Sequence, residues 1–136
     1  MKNLTTAIYG RLSGSSFSTA IGGRMYKSQA PENTEFPYAV YRVVTNTPER
    51  TFSEDYENTT IQFSLFSIAS GTTEIENMFT TLKALYDEIP FTVTGGTLVW
   101  MKRYTTIFNV EDHTTATGTQ RVWTYHVDFD VKVSLS

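Results

Sequence analysis

From Arg121 to Leu135 the chain alternates apolar and polar side chains almost without a break. Trp123, Tyr125, Val127, Phe129, Val131, Val133 and Leu135 fall on one side of an extended backbone. Val122, Thr124, His126, Asp128, Asp130 and Lys132 fall on the other. A period of two cannot sit on a helix, so the segment reads as a strand with one face against a core. A sheet with one apolar face has to be covered, and the chain supplies amphipathic helices to do it.

Leu4, Ile8 and Leu12 recur at helical spacing, with Ala7 between them, which predicts a short helix from Leu4 to about Leu12. Asn3 can cap its start and Gly14 can close its end. The serine-rich stretch Ser13–Thr19 has no periodicity and reads as a loop, followed by a turn and a few extended residues over Ile21–Tyr26. The second helix is the clearest one. Thr73-Glu74-Ile75-Glu76 has the form of a capping box, and Ile75, Met78, Phe79, Leu82, Leu85, Tyr86 and Ile89 make one stripe that Pro90 brings to an end.

The remaining segments read as strands and connections. Gln29–Glu35 is a proline-bearing loop. Pro37 opens a β-rich run over Tyr38–Thr45, as proline is tolerated where a strand begins. Thr59–Ile68 alternates, with Ile61, Phe63 and Leu65 on one face. Phe91–Trp100 reads as a hairpin around Gly95-Gly96, its second arm continuing to Asn109. Asn46–Glu57 and Glu111–Gly118 are polar and turn-prone, and are expected to be loops. The expected fold is one α+β domain over residues 1–136: an antiparallel or mixed sheet, two helices packed on one face, and a long C-terminal hairpin.

Composition narrows the function. Charged residues are 18% of the chain, below the roughly 25% of an ordinary soluble domain, and aromatics reach 14%. That composition is unlike a disordered segment. A net charge of -3 is the wrong sign for gripping a nucleic-acid backbone, and with no cysteine there is no disulfide or thiolate metal site. The first residues lack the apolar run of a secretion signal, and no stretch is long enough for a membrane helix, so the cytoplasm of whatever makes the chain is the expected compartment. Excess aromatic surface on so small a chain points to burial against other subunits.

Candidate chemistry is thin. His126, Asp128 and Asp130 share one strand face, but same-face neighbours stand roughly 7 Å apart, too far for three ligands on one ion without a bulge. No Gly-x-Ser-x-Gly elbow or phosphate-cradling glycine loop is present. Trp100, Tyr104, Trp123 and Tyr125 could stack a base or a sugar, yet on alternating strands such rings more often fill cores and interfaces. No catalytic residue, metal or cofactor is expected.

The order of these signals resembles the tail-completion, or tail-terminator, proteins of long-tailed bacteriophages. The likeness is carried by the helix Leu4–Leu12, by Ile21-Gly22-Gly23-Arg24-Met25-Tyr26, by Gln29-Ala30-Pro31 and by Phe36-Pro37-Tyr38-Ala39-Val40-Tyr41. A strand, the helix with Leu82 and Leu85, and a terminal hairpin complete it. The resemblance implies a virion protein without catalysis: a ring, commonly a hexamer, at the head-proximal end of the tail. Its partners would be further copies of itself, the major tail tube protein and the head–tail connector or stopper. DNA would pass through it without sequence-specific binding, and no membrane is involved. A neck or head-closure protein of the same virion, and a small α+β ligand-binding or catalytic domain, are the rival readings. Interface residues are expected in the two polar loops, at Glu49, Arg50, Glu54, Asp55, His113, Thr114 and Thr115, and on the sheet at Trp100 and Trp123.

Overall fold

Along the chain run α1 (Lys2–Leu12), α2 (Ser16–Ala20), β1 (Met25–Lys27), β2 (Tyr38–Arg50), β3 (Asp55–Ser67), α3 (Thr73–Tyr86), β4 (Thr97–Thr115) and β5 (Gly118–Ser134). The computed structural model describes residues 2–12, 14–32, 34–87, 91–115 and 118–135. The strands form one sheet in the order β1-β2-β3-β5-β4. β1 is parallel to β2 and every other pairing is antiparallel, so the sheet is mixed.

The core lies between one sheet face and the helices. Ala39, Tyr41, Ile61, Phe63, Leu65, Val127, Phe129, Val131 and Val133 are buried from the sheet, and Leu4, Ile8, Leu12, Phe17, Ile75, Met78, Leu82 and Tyr86 from the helices. Phe63 is its centre: its ring stacks on Tyr86 at 5.0 Å and meets the edge of Phe129 at 5.6 Å. The Tyr86 hydroxyl donates to the Ile8 carbonyl at 2.5 Å, and Arg11 Nε donates to the Leu85 carbonyl at 2.8 Å, tying α1 to the end of α3. Trp123 and Tyr125 share this face, half-buried against Phe79 and Phe108.

Several expectations are corrected. The serine-rich segment is not all loop. Ser15 caps α2 by accepting the Ser18 N–H at 3.0 Å, and the helix drops Phe17 into the core. Two apolar residues in five, Phe17 and Ala20, give no period to read, so the covering layer holds three helices rather than two among the described residues. The capping box does not form. Thr72 precedes α3 without a side-chain cap, and Glu74 instead accepts from Ser67 Oγ at 2.6 Å, pinning the helix start to the end of β3. Ile89 and Pro90 lie outside the described residues.

Asn46–Glu57 is not a loop but the end of the β2–β3 hairpin, with only residues 51–54 between the strands. Its polar side chains satisfy one another across the ladder. Asn46 donates to Glu57 at 2.7 Å and to Thr59 at 3.2 Å, and Asn58 donates to Glu49 at 2.8 Å. Pro48 is accommodated because β1 covers β2 only along Ala39–Tyr41, leaving an open edge where no N–H is required. Glu111–Thr115 and Gly118 are likewise extended, and residues 116 and 117 lie outside the described part. Residues 111–115 continue β4, paired with 118–122 of β5, beyond the last residue of β3. This two-stranded arm projects past the sheet, so no core marks its alternation.

The glycine pair at 95–96 turns the chain into β4 rather than closing a hairpin. Gly95 has φ +78°, the Gly96 N–H bonds to Val93, and the first arm makes only the single bridge Val93–Gly96. β4 takes β5 as its partner instead, starting at Thr97 opposite Ser134. Gly96 sits so close to the end of β5 that a Cβ there would lie 2.8 Å from the Ser134 carbonyl oxygen.

Candidate assembly surfaces

The sheet has two ends and two faces, and the expected interface residues are distributed between the ends. At one end the β2–β3 turn holds Glu49, Arg50, Glu54 and Asp55, all exposed. Arg50 pairs with Asp55 at 3.5 Å, and Glu49 takes Lys132 Nζ at 3.3 Å as well as the Asn58 amide. These two donors, Asn58 first, hold the Glu49 carboxyl below the ordinary carboxylate value. The Asp55 carbonyl accepts the Leu135 N–H at 2.8 Å, which ties this turn to the chain leaving β5.

At the opposite end lies the β4–β5 arm. The backbones of His113, Thr114 and Thr115 pair there with Gln120, Thr119 and Gly118. Their side chains, and all of residues 116 and 117, lie outside the described part. A strand of thirteen residues, β3, separates the two ends, about 40 Å at strand rise. The two groups of expected residues therefore belong to different surfaces.

The two tryptophans are held by intramolecular contacts. Trp123 donates its indole N–H to the Ala69 carbonyl at 2.9 Å and stacks on Phe108 at 5.8 Å. Trp100 lies on the face away from the helices, with Lys102 Nζ 4.2 Å and Lys132 Nζ 5.0 Å from its ring centre. Lys132 also stands 4.4 Å from the Tyr56 ring, so one ammonium joins two aromatic rings to Glu49. Further along the same face His126 Nδ1 lies 2.8 Å from Ser64 Oγ. Asp128 stands opposite Gln62 and Thr105, and Asp130 opposite Thr60 and Lys102. The histidine and the two aspartates thus face different cross-strand neighbours, and no metal-holding group of three occurs among the described residues.

Sequence reasoning missed the most exposed apolar groups. Phe52, in the middle of the β2–β3 turn, is fully exposed. Along β4 from its middle onwards, Tyr104, Ile107, Phe108 and Val110 all face solvent to a large degree. A further apolar hollow lies between α1 and the β1 edge, formed by Thr5, Thr6, Tyr9, Gly10, Lys27 and Tyr41. The signal for Phe52 was available: a phenylalanine between Thr51 and Ser53 in a polar turn has nothing to pack on. The signal for β4 was hidden, since its alternation is that of a buried strand.

Apolar groups thus stand exposed at both ends of the sheet, with polar cross-links inside it. The model of the family described as Tail completion protein gp17 matches residues 6–133, and this chain belongs to that family. Its role is that of a structural protein of a phage tail, and not of an enzyme. Among solved structures it is similar to a chain from the virion of a native gene transfer agent particle. That likeness has TM-score 0.69 at 12% identity, with 96% of this chain and 94% of that one covered. A second solved chain aligns with TM-score 0.50 at 18% identity over the same shares. At these identities both likenesses concern the fold. No curated protein matches the sequence.

Proposed function

We propose that this protein forms a closed ring on the head-proximal end of the finished tail tube, stops the tube from growing and offers its outer side to the head connector. Membership of the tail completion family supports a role at the end of tail assembly. The observation that carries the ring is the exposed apolar run Tyr104, Ile107, Phe108 and Val110 on the sheet's last strand, at the end away from Phe52. Unlike surfaces on one rigid subunit associate head to tail, and such contacts close into a ring when the rotation between copies allows. A chain of net charge -3 suits a channel through which DNA slides without adhering.

Light scattering on the purified protein, alone and with tail tubes, tests this together with electron microscopy of tails made without it. Rings of a fixed subunit number at one tube end, and tails of uncontrolled length without the protein, are expected. A chain that stays monomeric under both conditions and leaves tail length unchanged would refute the reading.

A further inference from the structure

The ring reading leaves open which surfaces meet, and two features of unlike shape bear on this. The first is convex. Phe52 stands fully exposed at the tip of the β2–β3 turn, flanked by the exposed carboxylates of Glu54 and Asp55. The turn beneath it is fixed rather than loose: the Thr51 N–H donates to the Glu54 carbonyl at 2.9 Å and the Glu54 N–H to Thr51 Oγ1 at 3.1 Å. A buried phenylalanine ring removes about 150–250 Å² from water, a large gain to leave unused on a rigid tip.

The second feature is concave. Between α1 and the β1 edge lies a hollow of roughly 430 Å³, ample for one aromatic ring. Tyr9 and Tyr41 wall it, their rings 6.3 Å apart. Gly10 leaves it open, since a Cβ at that position would meet nothing within 4 Å. Among the described residues that line it, the only charged one is Lys27, whose sign is opposite to that of the tip carboxylates.

We propose that Phe52 of one copy seats in the Tyr9–Gly10–Tyr41 hollow of a second copy, with Glu54 beside Lys27. The proposal rests on the ring reading and specifies its head-to-tail contact. A chain cannot fill its own hollow. Nine strand residues, Arg42–Arg50, separate Tyr41 from the turn, about 30 Å along β2. A convex group and a concave one at different places on the subunit make a heterologous contact, which favours a ring over a two-fold dimer.

The absence of cysteine makes the test direct. Ser53→Cys, which leaves the Phe52 ring in place, and Gly10→Cys are made separately, mixed at equal amounts with and without tail tubes, and oxidised. A disulfide between the two variants is expected, since the docked tip brings the positions within bridging distance. The double variant should give a ladder ending at the ring size, whereas each single variant alone should stay uncrosslinked, since a head-to-tail contact brings no two like positions together. Phe52→Ser and Gly10→Leu, the first removing the ring and the second filling the hollow, should each weaken subunit association about tenfold or more, as loss of a central aromatic anchor does. Glu54→Lys should weaken it less, and Lys27→Glu in the same chain should restore it.

If wild-type rings form while Phe52→Ser rings are unchanged and no mixed disulfide appears, the proposal is overturned and the ring stands. It is overturned in the same way if Ser53→Cys links to Phe108→Cys instead of Gly10→Cys. If the wild-type chain forms no ring in either condition, the ring reading itself fails and takes the proposal with it. Circular dichroism of each variant checks that the fold is kept.

Discussion

Replacing Tyr86 by phenylalanine should leave the chain less stable than the wild type at neutral pH and more stable than it at high pH, where the buried hydroxyl costs the wild type stability. The ring is fully buried, stacked on Phe63 and edge-on to Phe129 at 6.3 Å, and both contacts survive the substitution. What is lost is the hydroxyl that donates to Ile8. That carbonyl lies inside α1 and keeps its own helical bond, so no acceptor is orphaned, and the cost is that of one net hydrogen bond, about 1 kcal/mol. For a chain of this length the melting temperature should fall by about 3–5 °C at neutral pH.

The hydroxyl also titrates. Burial pushes it above the ordinary phenol value of 10.0; nearby Arg11 pulls in the other direction and Tyr41 adds to the rise. A group whose folded pKa is raised contributes its full stability below the unfolded value and loses it as pH climbs towards the folded one. Above pH 10 the unfolded chain releases this proton while the folded chain keeps it, so the wild type loses about 1.4 kcal/mol per pH unit there from this group. Tyr86→Phe does not pay that penalty. The two stability curves should therefore cross near pH ~10.6, where the accumulated loss equals the ~1 kcal/mol hydrogen bond. Urea titrations of both chains between neutral pH and about pH 11 measure this. The other tyrosines titrate alike in the two chains and cancel. A deficit for Tyr86→Phe that is as large at high pH as at neutral pH would refute the reasoning.

Gly96→Ala should destabilise by about 1–3 kcal/mol, because the new methyl meets the Ser134 backbone rather than a side chain that can turn away, whereas Gly71→Ala, with open space around it, should be near neutral in the same melts. Ser15→Ala removes the cap of α2 and should cost about 1 kcal/mol by denaturant titration, with a lowered signal from the packing of Phe17. Glu49→Gln should lower the melting temperature slightly at neutral pH and leave it unchanged in strong acid. The depressed carboxyl stabilises the fold above its unfolded value of 4.5 and loses that contribution as pH falls through the folded one. An equal effect at both pH values would mean that the Lys132 and Asn58 contacts do not bind the carboxylate.

What the sequence makes legible is the buried half of each element. Ile61, Phe63 and Leu65 alternate as read and are fully buried, and so do Val127, Phe129, Val131 and Val133 in β5. The α3 stripe holds at Ile75, Met78, Leu82 and Tyr86. Where a strand leaves the core the period carries no information, and both segments that read as loops but are strands lie in such regions. Asn46, Glu49, Glu57 and Asn58 bond to each other across the ladder, so polar residues there mean pairing rather than solvent. The parallel strand β1 reads as a few extended residues, and nothing local in three residues announces a partner or a direction. The assembly surface is half legible. Turn charges stand out by composition, but Phe52 and the exposed half of β4 are apolar residues that look like core until the fold shows nothing above them.

Three β-bulges interrupt the sheet, adding Val44 to β2 and Val99 and Tyr104 to β4, and all three extra residues are exposed. They fall on the two strands whose outer sides are open, and Pro48 adds a further break on β2. A straight strand laid along either rim would lose its hydrogen-bond phase within a few residues. Concentrated free subunits are thereby kept from zipping into fibres rim to rim. Stickiness is confined to side chains, whose geometry can be satisfied a fixed number of times, while the backbone, which could be extended without limit, is spoiled as a template. Both rims are thus poor templates for an added strand, and contact with other chains is left to side chains.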